Sequence, residues 1–238
     1  MRCLLIATTS LLFCLTGRSQ QVINVNSDNF SFSNRINADI SGMVHQPIKF
    51  VKFTAGTPFF NDQWMKARLF DGYGESYASH SVRLNLLDND VSFLDADGTE
   101  MVTTIPVKRI QLTDTTTGTQ YFFVLGDQIP EADKAQAGVW LQVLVNDTVS
   151  LCRQIKKTIH ETMPYGASTR EEEILSVDIY FVRMNGSFIR LKNWSGLIQL
   201  FANKKDAINE FIRDHHLKGK SADDYTQLVQ YYNSIKSV

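Results

Sequence analysis

The residues of this 238-residue chain best suited to chemistry are its three cysteines and five histidines, and their spacing argues against most of the chemistry they could do. Cys3 and Cys14 fall in an apolar N-terminal run. Cys152 sits in Val149-Ser150-Leu151-Cys152-Arg153, a strand pattern in which a small thiol is packing material. The histidines are scattered apart from His215-His216, and neighbours on a helix point about 100° apart, so the two do not face one ion. His160-Glu161 starts no zinc-protease motif, because Pro164 stands where the second histidine would be. Asp95-x-Asp97-Gly98 lacks the further acidic ligands of a calcium loop and reads as a hairpin turn. No metal and no cofactor is implied.

Nucleophile motifs are equally sparse. The chain has no G-x-S-x-G and no glycine-rich phosphate loop between a strand and a helix. Ser79-His80-Ser81 brackets a histidine with hydroxyls, but adjacent residues of an extended chain point to opposite faces, so the triplet forms no nucleophile and base pair. Carboxylates are plentiful without a recognisable pairing, which leaves a hydrolase with a non-local site open. No catalytic residue is assigned. The binding candidates are Tyr73 and Tyr77, in a glycine-containing loop at 71–80, where two rigid amphipathic rings could stack on a sugar or a partner or fold back over the sheet edge.

The elements that must position these residues read as strands. Apolar side chains alternate over 64–70, 81–87 and 91–95, with Lys66, Arg68, Arg83 and Asn85 on the other face, a β-meander with one dry and one wet side. Strands follow at 100–105, 107–112 and 121–125, the last buried on both faces. The linker 126–137 is the best division between two halves. Hairpins are expected for 140–145 with 148–155, and for 174–184 with 187–191 across Asn185-Gly186, a dipeptide that supplies the positive φ angles of a two-residue turn. Between them 159–173 reads as a long loop, functional or mobile. The period then becomes helical: a helix capped by Ser195, a second marked by Ile208, Phe211, Ile212 and His215 and ended by Gly219, and a third opened by a Ser221/Asp224 capping box and carrying Tyr225, Leu228, Val229, Tyr232 and Ile235.

At the N-terminus, Met1-Arg2, an apolar run over 3–15 too short to span a bilayer, and small residues at Gly17 and Ser19 make a secretory signal peptide. The domain reading is therefore 1–19 signal peptide, 20–47 N-terminal arm with an edge strand through 40–44 as one option, 48–125 first β-meander, 137–192 second β-meander and 195–236 C-terminal helices. The formal net charge of −1 gives no general attraction to nucleic acid or anionic membrane, and removing Arg2 and Arg18 makes it more negative. No segment after the signal is apolar enough to cross a membrane.

Gly56-Thr57-Pro58-Phe59-Phe60, Trp64, Val82-Arg83-Leu84-Asn85, and Leu228 with Tyr231-Tyr232-Asn233 resemble short motifs of a widespread group of secreted Bacteroidota proteins of unknown function. The resemblance spans residues 56–235 and implies export to the periplasm or beyond, with outer-membrane association an option, but no reaction. The expectation from sequence is a mainly β (α+β) protein, its antiparallel meanders forming a sandwich or curved sheet with a C-terminal helical segment packed on it. The leading function is a non-catalytic envelope or secreted binding module for an unknown protein, glycan or apolar ligand. A periplasmic carrier of an apolar ligand and a hydrolase are the alternatives.

Overall fold

The computed structural model describes residues 40, 42–44, 53–162 and 171–236. The expected signal peptide, most of the N-terminal arm and residues 163–170 lie outside them. Strand outweighs helix, 45% to 23%, so the protein is mainly β, an open mixed sheet with the last helix packed against it. The strands are β1 (Gly42–Val44), β2 (Phe53–Ala55), β3 (Met65–Asp71), β4 (Ser76–Leu84), β5 (Val91–Leu94), β6 (Glu100–Thr103), β7 (Val107–Thr113), β8 (Gln120–Leu125), β9 (Trp140–Val145), β10 (Ser150–Thr162), β11 (Glu171–Met184) and β12 (Ser187–Arg190). The helices are α1 (Trp194–Leu200), α2 (Lys205–Asp214) and α3 (Ala222–Lys236).

All the strands join one hydrogen-bonded sheet in the order β1-β6-β5-β4-β3-β7-β8-β9-β10-β11-β12, with β2 paired in parallel to the start of β11. The linker 126–137 does not interrupt it, because β8 and β9 on either side of it pair directly, Phe122 opposite Val143. The connection between β6 and β7 shows that the sheet curls. The two strands run in the same direction with only residues 104–106 between them, yet β6 pairs with β5 while β7 pairs with β3. Thr103 and Val107 are four peptide steps apart, at most about 15 Å. In a flat sheet β6 and β7 would stand four strand spacings apart, roughly 19 Å. Residues 100–113 therefore act as one strand bent near Pro106 that draws the sheet around itself.

Met65, Leu69, Val82, Leu84, Val91, Phe93, Ile110 and Leu112 fill the inside of this curl, joined by Phe123 and Trp140. A second core lies on β9 to β12, where Val145, Val149, Leu151, Tyr180 and Val182 meet the three helices. Helix α3 supplies Tyr225, Leu228, Val229 and Tyr232, the i, i+3, i+4, i+7 stripe read from sequence, and each such burial contributes roughly 1.5–3 kcal/mol. A third cluster on the reverse face, Phe122, Val124, Leu141, Val143, Cys152 and Phe181, is roofed by Ile129 and Ala132 of the linker. Tyr121–Leu125 is thus buried from both sides, its odd positions facing the curl and its even ones the linker.

Several boundaries differ from the sequence reading. The loop expected over 71–80 is a short turn at 72–75, because Ser76 to Ser79 pair with Phe70 to Ala67. Both ends of the loop expected over 159–173 are strand, residues 159–162 and 171–173: β10 and β11 pair continuously from Ser150↔Arg183 to Thr162↔Glu171, so a third, long hairpin joins the two expected ones, whose own pairings, β9 with β10 and β11 with β12, are both present. The polar run Glu171-Glu172-Glu173 hides such a strand, since its alternation carries no apolar face. Helix α1 is capped by Asn193, whose side chain accepts the Gly196 N–H, and not by Ser195. Helix α2 stops at His215, followed by His216 at φ 54°, before Gly219 is reached. Gly219 instead admits the Trp194 ring, which a Cβ there would overlap. The capping box of α3 is present, with Asp224 N–H on Ser221 Oγ at 3.2 Å and Ser221 N–H on Asp224 Oδ2 at 3.3 Å. The Asn185-Gly186 turn is present too, with φ 53° and 71°. No described helix is long and apolar enough to cross a membrane.

Candidate functional site

The turn between β3 and β4 is built around Asp71. Its carboxylate, almost wholly buried, accepts the N–H groups of Tyr73 at 2.8 Å and Glu75 at 2.9 Å, while its own N–H donates to the Glu75 carbonyl at 3.1 Å. Gly74 supplies the positive φ, 88°, that the turn needs. The turn is held from within, and Tyr73 stands on it 86% exposed. Tyr77 is placed differently. It lies in β4 opposite Leu69, not in a loop, and packs partly buried against the inside of the curl. The two tyrosines are therefore not a paired platform: Tyr73 projects into solvent and Tyr77 leans on the core.

The residues inspected for catalysis are committed to structure. Cys152 is 2% exposed, and burial pushes its thiol up to about 12, far from a reactive thiolate. Ser79 Oγ accepts the Ser81 N–H at 3.4 Å, a local contact within β4 where its register against β3 shifts. His215 stacks on Phe211 with ring centroids 4.0 Å apart. Asp95 accepts the amides of Asp97 and Thr99, which makes Asp95 to Thr99 a hairpin turn. No group of three or more potential metal ligands occurs among the described residues.

Where polar side chains gather inside the fold they seam the cores together. Arg153 joins Gln142 Oε1 through Nε at 3.1 Å and Nη2 at 2.6 Å, and Asp178 through Nη1 at 3.0 Å. The Tyr180 hydroxyl donates to the same Asp178 oxygen at 3.3 Å. Burial, with the Asp178 charge, pushes Tyr180 up to about 12, so it holds its proton and serves as a donor. Arg183 closes on both oxygens of Glu131 at 3.1 and 3.2 Å, tying the linker over the reverse face. Nothing in the spacing of Gln142, Arg153 and Asp178 announced this cluster, because they come from three different strands.

The residues of the sequence motifs also meet. Gly56, at φ 78°, lies so close to the Ile174 carbonyl that a Cβ would overlap it. The chain then pairs with the end of β4: Phe60 N–H donates to Leu84 O and Leu86 N–H to Pro58 O, both at 2.8 Å. The Arg83 guanidinium lies between the rings of Phe59 and Trp64, 4.1 and 4.0 Å from their centroids, and reaches Glu100 at 2.8 Å. Asn85 accepts the amides of Leu87 and Asp88. At the other end of the chain, Asn233 of α3 holds both backbone groups of Val149. These residues fasten the 56–64 segment and the helices to the sheet.

Comparison of the chain with protein families, curated proteins and solved structures found no match to any of them.

Proposed function

We propose that this chain is an exported binding module, periplasmic or extracellular, that engages its partner through Tyr73. One observation carries the reading: a solvent-directed tyrosine on a turn whose backbone is already fixed by the buried Asp71 carboxylate. A rigid aromatic loses little conformational freedom on binding, which is why such rings dominate interface energetics. The signal-peptide pattern of residues 1–19 supports export. The commitment of Cys152 to packing, of Ser79 to a contact within β4 and of Asp95 to a turn supports binding over catalysis. The carrier alternative would require an apolar cavity, and the described cores are occupied by the helices, the linker and the Phe60 side chain.

The test compares wild type with Tyr73→Ala, both purified from an exporting host and measured by native mass spectrometry, by pull-down from that host's envelope and on a glycan array. A retained ligand or envelope component should be lost from Tyr73→Ala with unfolding unchanged. Equal retention by the two proteins, or no binding by wild type in any of the three formats, overturns the reading.

A further inference from the structure

The outer face of the curl carries a second, independent feature. Along β3, Met65, Ala67 and Leu69 point into the core, so Lys66 and Arg68 point out from the middle of the sheet, roughly 7 Å apart along the strand. Both edges of β3 are occupied, by β4 and β7, so the two cations stand on a paired scaffold and not on a free edge. They line a groove of about 260 Å³ with Ala78 and Ser79 of β4 and Gln111 and Thr113 of β7. In register, Gln111 lies beside Arg68 and Thr113 beside Lys66 across β7, with the small Ala78 beside Arg68 on β4.

Three half-buried arginines of the sheet are closed on a carboxylate, Arg83 on Glu100, Arg153 on Asp178 and Arg183 on Glu131, while Arg109, also half-buried, lies over the Phe70 ring. Arg68 is half-buried as they are, and among the described residues neither it nor Lys66 has an acidic partner. The remaining outward polar groups are neutral and able to donate: the Gln111 amide and the Thr113 hydroxyl. A guanidinium fork, an ammonium and two neutral donors around one groove match a tetrahedral oxyanion, with acceptor oxygens on every side.

We propose that this groove binds a phosphate or sulfate group, free or as an ester. The site does not depend on Tyr73. Ligand binding is followed by amide chemical shifts and calorimetry on the full chain, with inorganic phosphate and glucose 6-phosphate as separate probes. The proteins compared are wild type, Lys66→Ala/Arg68→Gln, and Lys205→Ala as a control that removes an exposed cation elsewhere. The expected result is saturable binding by wild type that perturbs the amides of residues 66–68 and 111–113 and weakens with added salt. Affinity should fall at least tenfold in the double variant and stay unchanged in the control. Tighter binding of the ester than of inorganic phosphate assigns the esterified source, and equal binding assigns the free anion. The single variants Lys66→Ala and Arg68→Gln carry the comparison if the double variant is misfolded. Absence of saturable binding of both probes, or binding that survives removal of the two cations, overturns the proposal.

Discussion

Replacing Asn233 should cost more stability than replacing any other single polar side chain on the helices. Asn233 is 5% exposed on α3, and its amide forms a two-way bond with the backbone of Val149, accepting the N–H at 2.9 Å and donating to the carbonyl at 2.8 Å. Val149 is wholly buried at the entry to β10, so no water replaces the amide when it is removed. Asn233→Ala leaves one buried donor and one buried acceptor without this partner, at about 1–3 kcal/mol each, so the expected loss is about 2–6 kcal/mol. Asn233→Asp separates this account from a simple packing effect. Its carboxylate still accepts from Val149 N–H but sets a negative oxygen against the Val149 carbonyl, which raises the folded-state pKa of the new aspartate above its unfolded value. Such a group is tolerated below the unfolded pKa, near 4, where it is protonated and can donate, and its penalty grows as pH rises. Denaturant unfolding, followed by tryptophan fluorescence between pH 3 and pH 8, measures both. A loss below about 1 kcal/mol for Asn233→Ala, or a deficit of Asn233→Asp that does not widen with pH, refutes the reasoning.

Three further outcomes are expected. Arg83→Ala removes two ring contacts worth about 0.5–2 kcal/mol each and strands Glu100, so a loss of about 2–3 kcal/mol is expected; Arg83→Lys, which keeps the charge without the flat guanidinium, should lose less, and equal losses by denaturant titration would exclude a role for the stack. The Arg183 hydrogen bonds hold the Glu131 carboxyl below its ordinary value of 4.5, so its contribution is present above that pH and fades as pH falls through the lowered folded value; the gap of about 1 kcal/mol or less between wild type and Glu131→Gln should therefore close in acid, as measured by unfolding from pH 6 to pH 3. Cys152 should resist a thiol reagent at pH 8 in the native state and react at once in denaturant, which mass spectrometry of the labelled chain reads directly; rapid native labelling would show that the third core opens.

Local rules made part of the fold legible and misled elsewhere for identifiable reasons. The helical stripe of α3 and its capping box, the Asn185-Gly186 turn and the doubly buried 121–125 strand were readable because each depends on residues a few positions apart. The 71–80 stretch read as a loop because two glycines and a run of small polar residues mask a strand whose pairing with β3 supplies what its composition does not. The same holds for residues 159–162 and 171–173, which continue the thirteen-pair ladder of β10 and β11 despite their charged sequence. The exposure of Tyr73 was legible from a local signal, an aromatic between Gly72 and Gly74, whereas Tyr77, three residues further on, leans partly buried on the core through the pairing of β4 with β3.

By itself the sequence determined which stretches bury one face, which turns they use, and that the chain ends in amphipathic helices, since alternation, positive-φ turns and caps are set by near neighbours. Only the tertiary structure decided that residues 100–113 bend to curl the sheet and that α3 is pinned through Asn233 to a strand 84 residues away. It also decided that Arg68 and Lys66 share a groove with β4 and β7 while Arg83, Arg153 and Arg183 close on carboxylates. The physical reason is the same in each case. Desolvation, ion pairing and groove geometry depend on which distant segments are brought alongside, and the spacing of residues along one strand does not contain that information.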